Sequence, residues 1–94
     1  MAHLPTSRLR IYKFTQSAAV DYAFFVKYDK KLAKQINALI HNIMETPYEG
    51  LGKPEQLRYE LTGFWSRRIN SEHRLVYRVV EDEVQIISCR FHYK

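Results

Sequence analysis

Residues 56–91, QLRYELTGFWSRRINSEHRLVYRVVEDEVQIISCRF, carry most of the information about the fold. Four β-like segments are predicted in it, at 56–61, 64–70, 73–80 and 84–91. The segments are separated by the short turns Thr62-Gly63, Ser71-Glu72 and 81–83. Because short turns join strands that neighbour each other in antiparallel order, the stretch predicts an antiparallel meander.

Two helices are predicted before the meander, at 16–27 and 29–46. Thr15 is suited to cap the first helix, and Asp29 to cap the second, which Pro47 ends. The second helix has an apolar face at helical spacing, which consists of Leu32, Ile36, Leu39, Ile40, Ile43 and Met44. Helices joined this tightly form an antiparallel hairpin.

The first predicted strand is LRIYKF, residues 9–14, in which apolar and basic residues alternate. The predicted fold class is therefore α+β, with an N-terminal strand and an antiparallel helical hairpin packed on a twisted antiparallel β-sheet. The hairpin would cover one face of the sheet and leave the other face open.

Length and composition predict one domain. Of the 94 residues, 1–8 are expected to be a disordered or loose leader and 9–94 a single domain. The single cysteine, Cys89, excludes an internal disulfide and permits a reducing compartment. No apolar run approaches the roughly 18 residues of a membrane span, and the start lacks the apolar core of a secretion signal. The expected location is the cytoplasm, with no membrane partner.

Positive charge is concentrated in the predicted sheet. Lys and Arg total 15 against 10 acidic residues, a net charge of +5 that favours polyanions or an acidic protein as partners. Between Gly63 and Val80 the only acid is Glu72, whereas the arginines there are Arg67, Arg68, Arg74 and Arg78. Arginine binds phosphate bidentately, and the interleaved aromatic rings stack on unpaired bases. Single-stranded RNA is one predicted ligand; in the alternative, the arginines solvate the sheet and the aromatics fill the core.

Strand alternation relates the last histidine to the arginines. Arg74 and Arg78 share one face of their strand, and Ile86, Ser88, Arg90 and His92 share one face of the next. If those faces coincide, His92 lies among guanidinium groups, which is a suitable place to handle a phosphodiester. Cys89 points the other way and is predicted to be a core residue. The histidines have no metal-ligand spacing with Cys89, so no metal or other cofactor is expected.

Cleavage of RNA by its own 2′-hydroxyl needs a base, a group that stabilises charge on phosphorus, and an acid. Glu55 could be the base, Arg74 with Arg68 could hold the phosphate, and His92 could be the acid, since histidine titrates near neutrality. Composition alone does not select these residues from the other carboxylates and histidines.

Four blocks in order, GKPE, GFWSRRI, EHRLVY and the ending SCRFHY, resemble the YoeB/Txe family of the RelE/ParE superfamily of type II toxins. The resemblance covers roughly residues 9–93. It implies the RelE-like fold of microbial ribonucleases. It also implies a ribosome-dependent endoribonuclease that cleaves messenger RNA in the A site and so inhibits translation.

The resemblance also implies roles for individual residues. Glu55 of GKPE would be the general base, Arg74 of EHRLVY would contact the scissile phosphate, and His92 would be the general acid. Arg68 would support the phosphate and Tyr93 would position the substrate. Further RNA contacts are predicted for Arg58, Arg67 and Tyr59. Many family members have histidine at position 59, so the tyrosine keeps stacking but loses any auxiliary proton role.

The partners that the resemblance implies are an acidic antitoxin of the YefM type, the message, and the ribosomal 30S A site with its neighbouring rRNA. A homodimer is a further expectation, since toxin dimers occur in the family. Two other functions remain open. A ParE-like toxin would block DNA gyrase without catalysis and would lack the glutamate, arginine and histidine set. A catalytically silent RNA-binding module would need neither Glu55 nor His92.

Overall fold

A computed structural model describes Leu9 and residues 11–90, which form a five-stranded sheet covered by two helices. The elements in chain order are β1 Ile11–Phe14, α1 Gln16–Tyr28, α2 Lys30–Glu45, β2 Glu55–Gln56, a 3₁₀ turn Tyr59–Leu61, β3 Trp65–Arg68, β4 Arg74–Val80 and β5 Glu83–Ser88. The predicted α+β fold is confirmed. The predictions for residues 1–8, His92 and Tyr93 lie outside the described residues.

The strand order in the sheet is β1-β5-β4-β3-β2. Strands β2 to β5 pair antiparallel, as the meander prediction required. Strand β1 instead pairs parallel to β5, with Ile11 opposite Glu83 and Phe14 opposite Ile86, so the sheet is mixed. Parallel neighbours need a long connection, and here the helices and the other strands provide it.

The prediction of a strand over 56–61 is wrong beyond Gln56. Only Glu55 and Gln56 pair with β3, and the chain then enters the 3₁₀ turn. Tyr59 has a φ of 60°, in the left-handed region, which breaks an extended strand. The amide of Leu61 donates to the carbonyl of Arg58 at 3.1 Å and closes the turn. Alternating polarity therefore reflected the burial of Leu57 rather than a continuous strand.

The core lies between the helices and one face of the sheet. Helix α2 contributes the apolar face that its sequence predicts, with Leu32, Ala33, Ile36, Leu39, Ile40 and Ile43 buried. Leu75 and Tyr77 of β4 and Val84 and Ile86 of β5 meet this face, and all four are fully buried. Burial of each large aliphatic side chain contributes about 1.5–3 kcal/mol. Because strand side chains alternate, Arg74 and Arg78 project from the opposite face of the sheet.

Both predicted helix caps are confirmed. The hydroxyl of Thr15 accepts from the amide of Ala18 at 3.1 Å, and the carboxylate of Asp29 accepts from the amide of Leu32 at 3.1 Å. The backbone amide of Asp29 also donates to Phe25 at the end of α1, at 2.7 Å. Asp29 is therefore the single residue that ends α1 and begins α2.

Replacement of Asp29 by alanine is expected to lower the free energy of unfolding by about 1 kcal/mol, because the first turn of α2 loses its cap. Urea denaturation followed by circular dichroism measures the change. Asp29→Asn is the matched control, since its side-chain oxygen still accepts the Leu32 amide. An equal loss in both variants would contradict the capping role.

In the described part of the chain, no helix is long and apolar enough to cross a membrane.

Candidate functional site

Glu55 and Arg74 meet on the open face of the sheet, although they come from different strands. Glu55 on β2 lies opposite Ser66 on β3, which in turn lies opposite Val76 on β4. Arg74 is two residues from Val76 and so shares its face, and its Nη1 lies 3.8 Å from Oε1 of Glu55. The Glu55 side chain is 59% exposed and that of Arg74 15% exposed, so the carboxylate faces solvent while the guanidinium is sheltered.

Arg68 adds a second guanidinium to this face. It lies directly opposite Arg74 in the pairing of β3 with β4, and it is exposed. Like charges at directly opposed positions repel, and Glu55 places a carboxylate beside one of them. Two guanidinium groups therefore stand beside a carboxylate, an arrangement that suits an anion with several oxygens such as a phosphodiester.

The loop after α2 delivers Glu55 to the sheet. The carbonyl of Gly52 accepts from the amide of Arg68 at 2.7 Å, which brings the loop against β3. Gly52 has a φ of 78°, and a Cβ there would lie 2.9 Å from both the Arg68 carbonyl and a methyl group of Leu39. Only glycine permits this close approach, three residues before the carboxylate.

Arg67, the other arginine of the WSRR strand, faces the helices. Its side chain is fully buried, and all three guanidinium nitrogens donate hydrogen bonds. The acceptors are the Tyr77 hydroxyl, the Asn42 side-chain oxygen and the carbonyls of Thr46, Glu49 and Leu51. The prediction that Arg67 contacts RNA is therefore wrong. Alternation along β3 was the available signal, because it separates Arg67 from Arg68.

Tyr77 completes this buried network. Its hydroxyl donates to the carbonyl of Pro47 at 2.5 Å and accepts from Nε of Arg67 at 3.2 Å. Burial raises the pKa of the Tyr77 phenol, and the hydrogen bond and charge of Arg67 partly oppose that rise. The network ties the loop at 46–51 to the middle of the sheet, and that loop leads to Glu55.

A bulge in β5 changes which residues share a face. Val76 lies opposite Ser88 but Tyr77 lies opposite Ile86, so Ile87 is an extra residue. The prediction that Ile86 and Ser88 share a face is wrong for this reason: Ile86 faces the helices with Tyr77, whereas Ser88 pairs with Val76 of the open face.

Beyond the bulge, Cys89 enters the core and Arg90 contacts α1. Cys89 is fully buried, as predicted. Burial, together with the nearby Asp21 carboxylate, raises the pKa of its thiol to about 12. The guanidinium carbon of Arg90 lies 3.8 Å from the centroid of the Phe24 ring, so this arginine stacks on an aromatic side chain of α1. Sequence patterns gave no signal for that contact.

The remaining predicted RNA contacts lie at the edge of the site. Arg58 and Tyr59 are exposed, Tyr59 at 88%, and with Glu55 they line a shallow depression formed by residues 55–61. Their contact with RNA stays a prediction. On the open face of β4, Arg78 donates to Gln85 at 2.7 Å and lies over the ring of Phe64, 5.1 Å from its centroid. Gln85 was not singled out from the sequence, whereas Phe64 is one of the aromatic residues interleaved with the arginines.

Histidine and acidic side chains form no metal cluster in the described ranges, Leu9 and 11–90. His73 is buried, and its ring lies edge-on to that of Phe25, 5.1 Å between centroids. The amide of His73 donates to the side chain of Asn70 at 2.7 Å. His73 thus supports the turn between β3 and β4, next to Arg74.

Comparison with known proteins identifies relatives over almost the whole chain. Residues 14–93 match the family described as YoeB-like toxin of bacterial type II toxin-antitoxin system. The toxin YoeB of Synechocystis sp. (strain ATCC 27184 / PCC 6803 / Kazusa) is 56% identical over 81 residues, which cover 86% of this chain and 94% of the relative.

Solved structures resemble the chain closely. A YoeB/ParE toxin from Agrobacterium tumefaciens aligns with a TM-score of 0.87 and 45% identity, over 89% of this chain and 100% of the other. The YoeB dimer from Staphylococcus aureus aligns with a TM-score of 0.83 and 49% identity, over 93% and 100%. The heterotetrameric YoeB-YefM toxin-antitoxin complex from the same organism aligns with a TM-score of 0.82 and 49% identity, over 93% and 100%.

Proposed function

The chain belongs to the family of YoeB-like toxins of bacterial type II toxin-antitoxin systems, and from that premise we propose that it is an endoribonuclease that cleaves messenger RNA in the ribosomal A site. The observation that carries the proposal is the meeting of Glu55 with Arg74, beside Arg68, on the open face of the sheet. A carboxylate that can take a proton there stands next to cations that can hold a phosphate.

The proposed reaction is attack by the ribose 2′-hydroxyl on the adjacent phosphorus. Glu55 takes the 2′ proton as the new oxygen–phosphorus bond forms, and Arg74 with Arg68 stabilises the charge that develops on the phosphoryl oxygens. His92 gives a proton to the 5′ oxygen as its bond to phosphorus breaks. The products are a 2′,3′-cyclic phosphate and a 5′-hydroxyl, and the reaction consumes no oxidant or other co-reactant.

The ribosome and the antitoxin are the proposed partners. The exposed Arg58, Arg68 and Tyr59 would contact the message and neighbouring rRNA, and Tyr93 would help to position the message. An acidic YefM-like antitoxin is proposed as the inhibitor, because a net charge of +5 attracts an acidic chain and a relative forms a YoeB-YefM complex. A homodimer is proposed from the dimer of another relative. Action on ribosomes would place the protein in the cytoplasm.

Induction of the chain in cells, followed by primer extension on abundant messages, tests the function. Cuts in phase with the reading frame, at the codon in the A site, support the nuclease. Intact messages together with DNA breaks and an SOS response would support the ParE-like gyrase inhibitor instead. Intact messages and intact DNA would favour the silent RNA-binding module.

Substitutions of Arg74 test how the phosphate is held. Arg74→Ala is expected to slow cleavage more than Arg74→Lys, because lysine keeps the charge but loses the planar fork that binds two oxygens. The difference is expected to be about tenfold, the order of one good charge-assisted hydrogen bond. Single-turnover cleavage on programmed ribosomes measures both variants. Equal losses would argue against bidentate contact.

A further inference from the structure

One side of α1 runs along the chain segment that leaves β5. Thr15, just before the helix, donates its backbone amide to the carbonyl of Ile86 at 3.0 Å and its hydroxyl to the carbonyl of Ile87 at 2.8 Å. These contacts hold the backbone at the β-bulge. Thr15 therefore contacts β5 at the point where the regular pairing of β5 with β4 is interrupted.

The contacts continue at three-residue intervals along α1. The thiol of Cys89 donates to the carbonyl of Ala18 at 3.7 Å, and the backbone amide of Cys89 donates to Oδ2 of Asp21 at 3.3 Å. Phe24 then supports the guanidinium of Arg90, 3.8 Å from the ring centroid. We name the four α1-side residues Thr15, Ala18, Asp21 and Phe24 the guide stripe.

The rise of the helix explains how the guide stripe follows the C-terminal segment from Ile86 to Arg90. Nine residues of α-helix, from Thr15 to Phe24, rise about 13 Å. Residues 86–90 run alongside this stretch of α1, although strand β5 itself ends at Ser88. Successive turns of α1 therefore meet the C-terminal segment progressively further along: Thr15 contacts Ile86 and Ile87, Ala18 and Asp21 both contact Cys89, and Phe24 contacts Arg90.

We infer that the guide stripe fixes the course of residues 86–90 and that the action of His92, which follows Arg90 by two residues in the sequence, depends on it, with Asp21 and Phe24 as the positioning residues. The inference rests on the proposed function, in which His92 is the general acid. Asp21 holds the backbone of Cys89 by a charge-assisted hydrogen bond, and Phe24 holds Arg90 by a cation–π contact. Neither residue lies on the open face with Glu55 and Arg74.

Phe24→Leu tests the inference, with Phe24→Tyr as its matched control. Leucine removes the ring on which Arg90 stacks, whereas tyrosine keeps the ring. We expect Phe24→Leu to slow single-turnover cleavage on programmed ribosomes by about tenfold, since small misplacements of a catalytic group cost one to two orders of magnitude. The half-saturating ribosome concentration should stay the same, and Phe24→Tyr should cleave like the parent.

Asp21→Ala provides a second variant, with Asp21→Asn as a control whose side-chain oxygen still accepts the Cys89 amide. The same direction of change is expected as for Phe24→Leu. All variants are assayed below the onset of their thermal unfolding, so that the cleavage rate refers to folded protein. A cleavage rate that stays at the parental level in both Phe24→Leu and Asp21→Ala would overturn the inference.

The decisive measurement repeats both substitutions in a His92→Gln background. If α1 acts by positioning His92, Phe24→Leu and Asp21→Ala should cause little further loss there, because the acid is already absent. The same fold loss in both backgrounds would mean that α1 acts elsewhere, and would overturn the inference while leaving the proposed function standing. Parental cleavage by His92→Gln itself would instead remove the proposed role of His92 as the acid, and the inference with it.

Discussion

Glu55→Gln and His92→Gln variants are expected to cleave message on ribosomes about 10²-fold or more slowly than the parent, the usual scale for a proton-transfer group. Glutamine has nearly the shape of glutamate but cannot take the 2′ proton. Glutamine in place of His92 likewise has no titratable group with which to protonate the 5′ oxygen. The loss should appear in the single-turnover rate rather than in ribosome binding.

Glu60→Gln is the matched control for the base. Glu60 is an exposed carboxylate in the 3₁₀ turn that follows β2, close to Glu55 in sequence but outside the pair with Arg74. Its amide variant should cleave like the parent. Growth arrest and message cuts at parental rates by both Glu55→Gln and His92→Gln would exclude the proposed mechanism.

Glu55→Gln has a second expected consequence, because it also removes the ion pair with Arg74. The pair joins Nη1 of Arg74 to a half-exposed carboxylate at 3.8 Å, so water screens it and its contribution to stability is small. Loss of the negative charge removes one counter-charge from beside the opposed Arg68 and Arg74. Binding of an anionic substrate should therefore be unchanged or tighter in this variant, while catalysis falls.

Hydrophobic periodicity was sufficient to predict the helices and most of the strands. The apolar face of α2 and the caps at Thr15 and Asp29 depend on residues close together in the chain, and all were confirmed. The parallel pairing of β1 with β5 joins residues about seventy positions apart. No local pattern encodes such a pairing, since it depends on which edge of the meander remains available.

Two errors in the predicted sheet had local causes that a polarity pattern does not show. Tyr59 adopts a left-handed backbone, a conformation that favours glycine, so nothing in its side chain signalled the end of β2. Ile87 is an extra apolar residue in an apolar strand, and a bulge there leaves the composition unchanged while placing Ile86 and Ser88 on opposite faces.

The candidate site, like the pairing of β1 with β5, depends on residues that are far apart in the chain. The sequence alone did not select Glu55 from the other carboxylates, whereas the family resemblance did. The structure shows why spacing could not: Glu55 and Arg74 are joined across β3 by the pairing register of three strands. Arg67 and Arg68 are adjacent and chemically identical. Arg67 nevertheless supports the loop at 46–51, whereas Arg68 lies on the open face of the sheet.

The role of Arg67 leads to the largest expected effect on stability. Arg67→Met is expected to lower the free energy of unfolding by about 4 kcal/mol, as for other buried charged groups whose removal leaves their partners unsatisfied. Methionine fills much of the volume but donates nothing to the Tyr77 hydroxyl or the Asn42 side chain. The carbonyls of Thr46 and Leu51 lose the same guanidinium.

Arg68→Met is the control, because Arg68 is the exposed neighbour on the same strand and should cost less than about 0.5 kcal/mol. Arg67→Lys should fall between them, since an ammonium keeps the charge but cannot reach all the acceptors arranged around the edge of the planar guanidinium. Urea denaturation of the toxin alone measures all three, and similar losses for Arg67→Met and Arg68→Met would contradict the buried network. Domains are typically stable by about 5–15 kcal/mol, and if the stability of this small chain lies at the lower end, Arg67→Met should be unfolded to a measurable extent near 37 °C. Because the loop that Arg67 holds ends at Glu55, the same substitution should also lower cleavage by the folded fraction, which Arg68→Met would affect only through its own contact with phosphate.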